Sequence, residues 1–216
     1  MRGSKPVVAA VVALSISLLQ SADAQQHTDA QQHTKGRVLI LLSSAQELEL
    51  RDRKSYSTGI FFNEFVTPVR AIISAGYEPI FANAEGSPVH FDPHSVLPVY
   101  FGGSQEKLEE AKQFVESLDG VKHPRTLASV RAEGVTEYVG VVVPGGHAAF
   151  QDLATNSDVG ALLSAFHSAS KPTAIICHGP AALLSTLPDP AAFKQAMVNG
   201  DASAAQKLAT TNTTIL

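Results

Sequence analysis

The sequence predicts an α/β fold, a parallel sheet covered by helices on both faces, and three observations predict it. The strand candidates are short and nearly all apolar, with RVLILLSS at 37–44 and VGVVV at 139–143, as strands buried on both faces must be. Stretches of helical spacing separate them, so strands and helices alternate along the chain. The candidates at 139–143 and 173–176 each run into a turn rich in Gly and Pro. In such sheets function gathers at the carboxyl ends of the strands.

The elements follow in order. Residues 37–44 form a continuous apolar run after a basic pair, which suits a buried strand. Residues 58–75 show helical spacing, with Phe61, Phe65, Val69 and Ile72 on one side and Gly76 as a stop. Pro68 inside that pattern predicts a kink or a break into two helices. Residues 77–82 (YEPIFA) are the second strand, and 83–103, rich in Gly, Pro, His and Ser, read as an irregular excursion. A charged amphipathic helix follows at 105–118. The strand at 139–143 ends in Pro144-Gly145-Gly146, a helix spans 158–169, a short buried strand 173–176, and a further helix 181–187.

Composition narrows the class. The chain has 216 residues, one Cys, no Trp, 44% hydrophobic and 17% charged residues and a formal charge of −4. That suits one domain or a small pair, and excludes collagen, a disulfide framework and disorder throughout. Mild acidity argues against nucleic acid as the main partner, because phosphate binding needs clustered Lys and Arg.

Part of the hydrophobicity belongs to the beginning of the chain. Arg2 and Lys5 precede an apolar run of thirteen residues, 7–19, and Ala22-Asp23-Ala24 has the small-x-small form of a cleavage site. This is the layout of a secretory signal peptide over residues 1–24, with an uncleaved anchor as the rival reading. Cleavage after Ala24 removes Arg2, Lys5 and Asp23, taking the charge from −4 to −5. The mature chain is then expected to be secreted or periplasmic, with no membrane contact. No Cys stands near the cleavage site to carry a lipid. A hexapeptide, DAQQHT, occurs at 23–28 and again at 29–34. His27 and His33 offer weak metal ligands, but a flexible spacer over 25–36 is the simpler reading. The globular domain is expected over 37–216.

Three strand ends carry chemistry. Cys177 directly follows a strand and precedes Gly179 and Pro180, which open a helix. A side chain at such a turn projects above the sheet, as in a nucleophile elbow. The helix N-terminus should stabilise a thiolate there. The alternative is an inert core Cys. His178 follows immediately and is suited to proton transfer near neutral pH, although adjacent side chains normally point apart. The paired Gly145 and Gly146, followed by His147, free backbone N–H groups for a ligand oxyanion. Glu64 borders the apolar stripe of its helix, where a carboxyl would have a raised proton affinity and act as acid or base. A plain surface charge is the competing reading.

Taken together, Gly59, Glu64 and Pro68 with Ala75-Gly76, the Pro144-Gly145-Gly146-His147 turn with Asp152-Leu153 behind it, and the 176–180 elbow (ICHGP) resemble the ThiJ/PfpI superfamily. The resemblance runs from about residue 37 to residue 190. It implies the class I glutamine amidotransferase-like fold, a flavodoxin-like three-layer sandwich. The long segment before the GG turn, with Phe91-Asp92-Pro93-His94-Ser95, is similar to the heat-shock chaperone and glutathione-independent glyoxalase branch. By that resemblance Cys177 is the nucleophile, Glu64 the carboxylate beside it and His178 the base, with Gly145, Gly146, His147 and Gly179 lining the pocket. The chain departs from the pattern twice. Ala148 and Ala149 stand where a third small Gly is usual, which should narrow the pocket, and only 39 residues follow Cys177, so the closing strands and helices of the fold should be missing or altered.

The expected chemistry is of the glyoxalase type. Cys177 adds to a 2-oxoaldehyde such as methylglyoxal, and a 2-hydroxy acid leaves. No metal and no organic cofactor is expected. The partners expected are a small carbonyl substrate and, by the resemblance, a second copy of the chain as a homodimer. Three other functions fit the same residues: a cysteine peptidase or amidase, a non-enzymatic stress chaperone, and a sensor built on an exposed low-pKa thiol.

Overall fold

The central strand sets the layers. In β1 (Arg37–Leu41) successive side chains point to opposite faces. Val38 and Ile40 enter one apolar cluster, and Leu39 and Leu41 the other. The chain then makes a short ribbon of β2 (Glu47–Glu49) and β3 (Ser55–Ser57), which pair antiparallel with each other. Helix α1 (Phe62–Ser74) leads to β4 (Glu78–Asn83). After two 3₁₀ turns come α2 (Gln105–Glu116), α3 (Asp119–Lys122), β5 (Arg125–Thr126) and α4 (Leu127–Glu133). The remainder is β6 (Tyr138–Val143), α5 (Ala148–Gln151), α6 (Ser157–Ser168), β7 (Thr173–Ile175), a 3₁₀ run Gly179–Thr186, α7 (Pro190–Asn199) and α8 (Ala202–Thr210).

The main sheet has the order β5-β4-β1-β6-β7, and every pair in it is parallel. Without the two-residue edge strand β5, the order β4-β1-β6-β7 is the 2-1-3-4 arrangement of a flavodoxin-like sheet. The expected α/β class and parallel sheet are therefore what the chain forms. Phe65, Phe81 and Leu108 pack with Val38 and Ile40 beneath α1 and α2. On the other face Leu127, Leu162 and Phe166 pack with Leu39, Leu41 and Val141 beneath α4 and α6. Each such side chain, fully buried, contributes about 1.5–3 kcal/mol, against about 0.5–1.5 kcal/mol net for a hydrogen bond. The two apolar layers therefore carry the stability, and the polar contacts decide placement.

The computed structural model describes residues 34–210. The expected signal peptide and its cleavage site, His27 and His33 of the spacer, and the last six residues lie outside the described residues. No helix among the described residues is long and apolar enough to cross a membrane.

Several elements differ from the sequence reading. The helix expected over 58–75 starts at Phe62, because Ile60 forms a parallel bridge with Phe91. It runs unbroken through Pro68, whose missing N–H leaves the Glu64 carbonyl without its usual helical donor. The strand expected to be buried at 173–176 is instead an exposed edge. Thr173 and Ala174 face solvent, because among the described residues β7 pairs with β6 on one side and no strand pairs with its other side. Beside it an apolar groove of about 500 Å³ opens over Val38, Ile72, Val139, Val141, Pro172 and Ala174. The helix expected at 181–187 is a 3₁₀ run from Gly179. The small polar stretch after residue 200 is helical through Thr210.

The irregular excursion has a specific task. Phe61, at the N-cap of α1, offers no side-chain cap. The cap comes from a distant residue: the Phe62 N–H donates to Ser95 Oγ at 2.9 Å, and the Ser95 hydroxyl donates to the Asp92 carbonyl at 2.7 Å. Asp92 is itself fixed, accepting from the Thr58 hydroxyl at 3.3 Å and from the His94 N–H at 2.8 Å. Thus the Asp92–Ser95 loop sets where α1 begins. Replacing Ser95 by Ala should lower unfolding stability by about 1 kcal/mol, the usual worth of a helix cap. A urea titration checks it, with a lower midpoint and unchanged slope expected; an unchanged midpoint would show that water replaces the cap.

Candidate active site

Strands β4 and β6 lie on opposite sides of β1, so the sheet changes direction there. A crevice opens at the carboxyl ends of the strands at such a point. Three loops enter it.

The first carries the thiol. The Ile176 N–H donates to the Val143 carbonyl at 3.0 Å, extending the strand pairing by one residue. The backbone then turns sharply: Cys177 has φ of +53°, a left-handed conformation that costs a non-Gly residue on the order of 1–3 kcal/mol. The Gly179 N–H closes the turn on the Ile176 carbonyl at 2.8 Å. This reversal brings two neighbouring side chains together that a straight strand would hold apart. Cys177 Sγ lies 3.1 Å from Nδ1 of His178. Cys177 is exposed and His178 half-buried. Gly179 is buried, and a Cβ on it would meet the Val143 carbonyl at 2.7 Å. It therefore fits the elbow onto β6 instead of lining the mouth.

The second loop carries the paired glycines. Gly145 occupies the point where Glu64 and Cys177 converge: a Cβ there would collide with Glu64 Oε2 and stand 2.7 Å from Cys177 Cβ. Only a residue without a side chain lets the carboxyl and the thiol share this space. Gly146, at φ of +115°, abuts the Gly59 carbonyl in the same way. Gly145 and Gly146 are both buried, and among the described residues neither donates its N–H within the protein. His147 is exposed, its ring 4.5 Å from that of His178.

The third element is the first turn of α1, which carries Glu64. The Phe61 N–H donates to the Gly145 carbonyl at 3.0 Å and holds this turn against the glycines. Glu64 is half-buried, and its Oε2 is buried without a hydrogen bond of ordinary geometry. The same carboxyl acts on the thiol. Burial, followed by the hydrogen-bonding contact with Glu64 and its negative charge, pushes the Cys177 thiol above its usual range, against a lowering contribution from the His178 N–H. The stabilised thiolate expected from the sequence is therefore overturned. The element after Cys177 is a 3₁₀ run, and a carboxylate faces the thiol.

Sequence reasoning brought Cys177, His178, Glu64, Gly145, Gly146 and His147 to one place, and the structure puts them there. It missed Tyr56 and Phe150, whose rings border His147 and His178 respectively, and His94, which stacks on Tyr56. It also missed the brace beneath them. Asp152 accepts from the Ser43 hydroxyl at 2.6 Å and the Ser44 N–H at 2.7 Å, tying the loop after β1 to the segment after α5; burial pushes its carboxyl up against those lowering bonds. Among the described residues no cluster of three His, Cys, Asp or Glu side chains is arranged to hold a metal.

The electrostatics carry a test. Removing an anion beside an acid makes that acid easier to ionise, so Glu64→Gln should shift the Cys177 titration to lower pH. The pH dependence of iodoacetamide alkylation measures it, and an unmoved midpoint would assign the raised thiol to burial alone.

Comparison with known proteins follows the same residues. The pattern of the DJ-1/PfpI family matches residues 62–187. A protein/nucleic acid deglycase, HchA, of Staphylococcus aureus is 27% identical over 170 residues, 76% of this chain and 54% of that protein. The chain thus spans about half the length of the curated relatives it matches. Among solved structures, glyoxalase III of Candida albicans has a TM-score of 0.58 at 25% identity, covering 72% of this chain and 62% of its own. The Rapid Encystment Protein 24 kDa of Francisella tularensis has a TM-score of 0.56 at 21% identity, over 69% of this chain and 61% of its own, a likeness of fold. The matched segment opens on the helix of Glu64, runs past the elbow of Cys177 and takes in more than half of the sequence, and the chain belongs to the DJ-1/PfpI family.

Proposed function

We propose that this chain converts 2-oxoaldehydes such as methylglyoxal to 2-hydroxy acids through a covalent adduct on Cys177. One observation carries the reading: the thiol stands on a left-handed elbow between two proton carriers, His178 Nδ1 at 3.1 Å and the Glu64 carboxyl across Gly145. The names of the relatives, a deglycase and a glyoxalase III, support carbonyl chemistry of this kind.

The steps balance without an external oxidant. Sγ attacks the aldehyde carbon C1, the C–S bond forms, and the carbonyl electron pair moves onto oxygen. The thiol proton passes through His178 to that oxygen, giving a hemithioacetal. Glu64 or His178 then removes the C1 proton, and the electrons flow to the C2 carbonyl as an enediolate. Return of a proton to C2, with the C1 hydroxyl proton passing to the C2 oxygen, leaves a 2-hydroxy thioester, with C1 oxidised and C2 reduced by two electrons. Water cleaves the thioester, releasing the 2-hydroxy acid and restoring the thiol. The free Gly145 and Gly146 amides face the oxyanion that develops on the substrate.

The raised thiol favours this reaction over amide cleavage. A peptidase needs a standing thiolate and a base oriented by a third group. Here the thiol is pushed above its usual range, which lowers the thiolate fraction, and among the described residues no carboxylate bonds to His178. An aldehyde is electrophilic enough to capture a small thiolate fraction. Because Cys177 is exposed, carbonyl adducts carried on larger molecules are a second substrate class for the same chemistry.

Lactate formation from methylglyoxal should vanish in Cys177→Ser and fall by about 10²–10⁴-fold in Glu64→Gln, the usual worth of a proton-transferring group. Wild-type turnover in Cys177→Ser would sink the assignment, and suppression of client aggregation that persists in that variant would favour a chaperone. The export reading adds that the mature protein begins at Gln25, outside the cytoplasm. Its N-terminal residue, read from the exported protein, tests that.

A further inference from the structure

We infer that Tyr56, with His94 and His147, forms a wall of rings that selects 2-oxoaldehydes bearing a flat aromatic substituent. The inference rests on Cys177 as the carbonyl-attacking group and adds the kind of substituent that group prefers.

The wall is continuous with the thiol. His178, at 3.1 Å from Sγ, packs its ring 4.5 Å from that of His147. The His147 ring meets Tyr56 edge-on at 6.1 Å and 88°, and Tyr56 stacks on His94 at 5.4 Å and 18°. Phe150 stands on the same rim, 5.7 Å from His178 and 40% exposed. None of these rings belongs to either apolar cluster of the fold. His94 and His147 are exposed and Tyr56 is half-buried, so packing of the core does not account for them.

Each ring is carried by a different segment of backbone. Tyr56 lies on β3 opposite Leu48 of β2, in a ribbon that joins no other strand. Alternation along β3 leaves Ser55 and Ser57 exposed and turns Tyr56 inward. The ribbon's pairing continues where the Thr58 N–H donates to the Gln46 carbonyl at 2.9 Å, and the ribbon is tied to α5 where the Glu49 N–H donates to Gln151 Oε1 at 3.1 Å. Asp92 Oδ1 holds the His94 backbone at 2.8 Å. His147 directly follows Gly146. Backbones held in place before the ligand arrives lower the ordering cost of binding.

Flat π systems are recognised by stacking and edge contacts with such rings. The methyl group of methylglyoxal offers neither contact, whereas a phenyl group offers both. The ribbon thus acts through substituent choice, at a distance from the reacting carbon.

The test compares phenylglyoxal with methylglyoxal by kcat/KM. Wild type should prefer the aryl substrate. Tyr56→Ala should cut that preference about tenfold, equivalent to about 1.4 kcal/mol, and Tyr56→Phe should retain it. An unchanged preference in Tyr56→Ala overturns the inference. A second measurement needs no turnover: alkylation of Cys177 by phenacyl bromide against bromoacetone, each normalised to free cysteine. There the S–C bond forms, the C–Br bond breaks, bromide leaves, and the thiol proton goes to solvent. If neither oxoaldehyde is converted but the aryl preference in alkylation still falls in Tyr56→Ala, the reaction fails and the wall stands. If turnover is normal and neither ratio responds to Tyr56, the wall fails alone.

Discussion

The hydrogen bond from the Phe61 N–H to the Gly145 carbonyl, with Gly146 pressed on the Gly59 carbonyl, joins two loops that leave the sheet from different strands. The site depends on this backbone contact. It places the first turn of α1, and so Glu64, over the thiol that follows β7. The contact tolerates no Cβ, which ties the chemistry to two adjacent glycines. Around it the fold adds supports that touch no substrate: Ser95 fixes the start of the helix, and Asp152 braces the loop after β1.

The same closeness sets the state of the nucleophile. Burial and then a carboxylate beside the thiol work against ionisation, and at Cys177 together they prevail over the neighbouring N–H of His178. A thiol kept protonated reacts slowly with peroxide-type oxidants, since the thiolate is the reactive form. A sensor built on a low-pKa thiol fits this arrangement poorly. A site that releases its proton only as a strong electrophile arrives fits it well.

Much of this was legible in the sequence, for physical reasons. Strands buried on both faces must be apolar throughout, so 37–44 and 139–143 stood out, and with them the parallel sheet. The elbow was visible because Cys177, Gly179 and Pro180 meet the needs of a strand-to-helix reversal. What escaped notice lacked periodicity or depended on distant partners. The three-residue strands around Tyr56 are too short to show an alternation. Ser95 caps a helix that begins thirty-three residues earlier, a relation that local spacing does not carry. The exposure of β7 was misjudged because TAI is apolar enough to suit a buried strand, and nothing local reveals that among the described residues no strand pairs with its outer side. The direction in which Cys177 ionises is not legible in the sequence, because helix-terminus reasoning considers one element, whereas burial by the folded chain and then the Glu64 carboxyl on another element push the thiol up.

That open edge has a consequence for motion. β7 is three residues long and, among the described residues, pairs with β6 alone, while β1 is held on both sides. Segments with few neighbours open at a small fraction of the global unfolding energy. The strand that presents Cys177 therefore belongs to the most readily opened part of the sheet, whereas β1, β4 and β6 form its slow-exchanging centre. Amide protons at Ala174 and Ile175 should accordingly be lost to solvent long before those of Leu39 and Ile40.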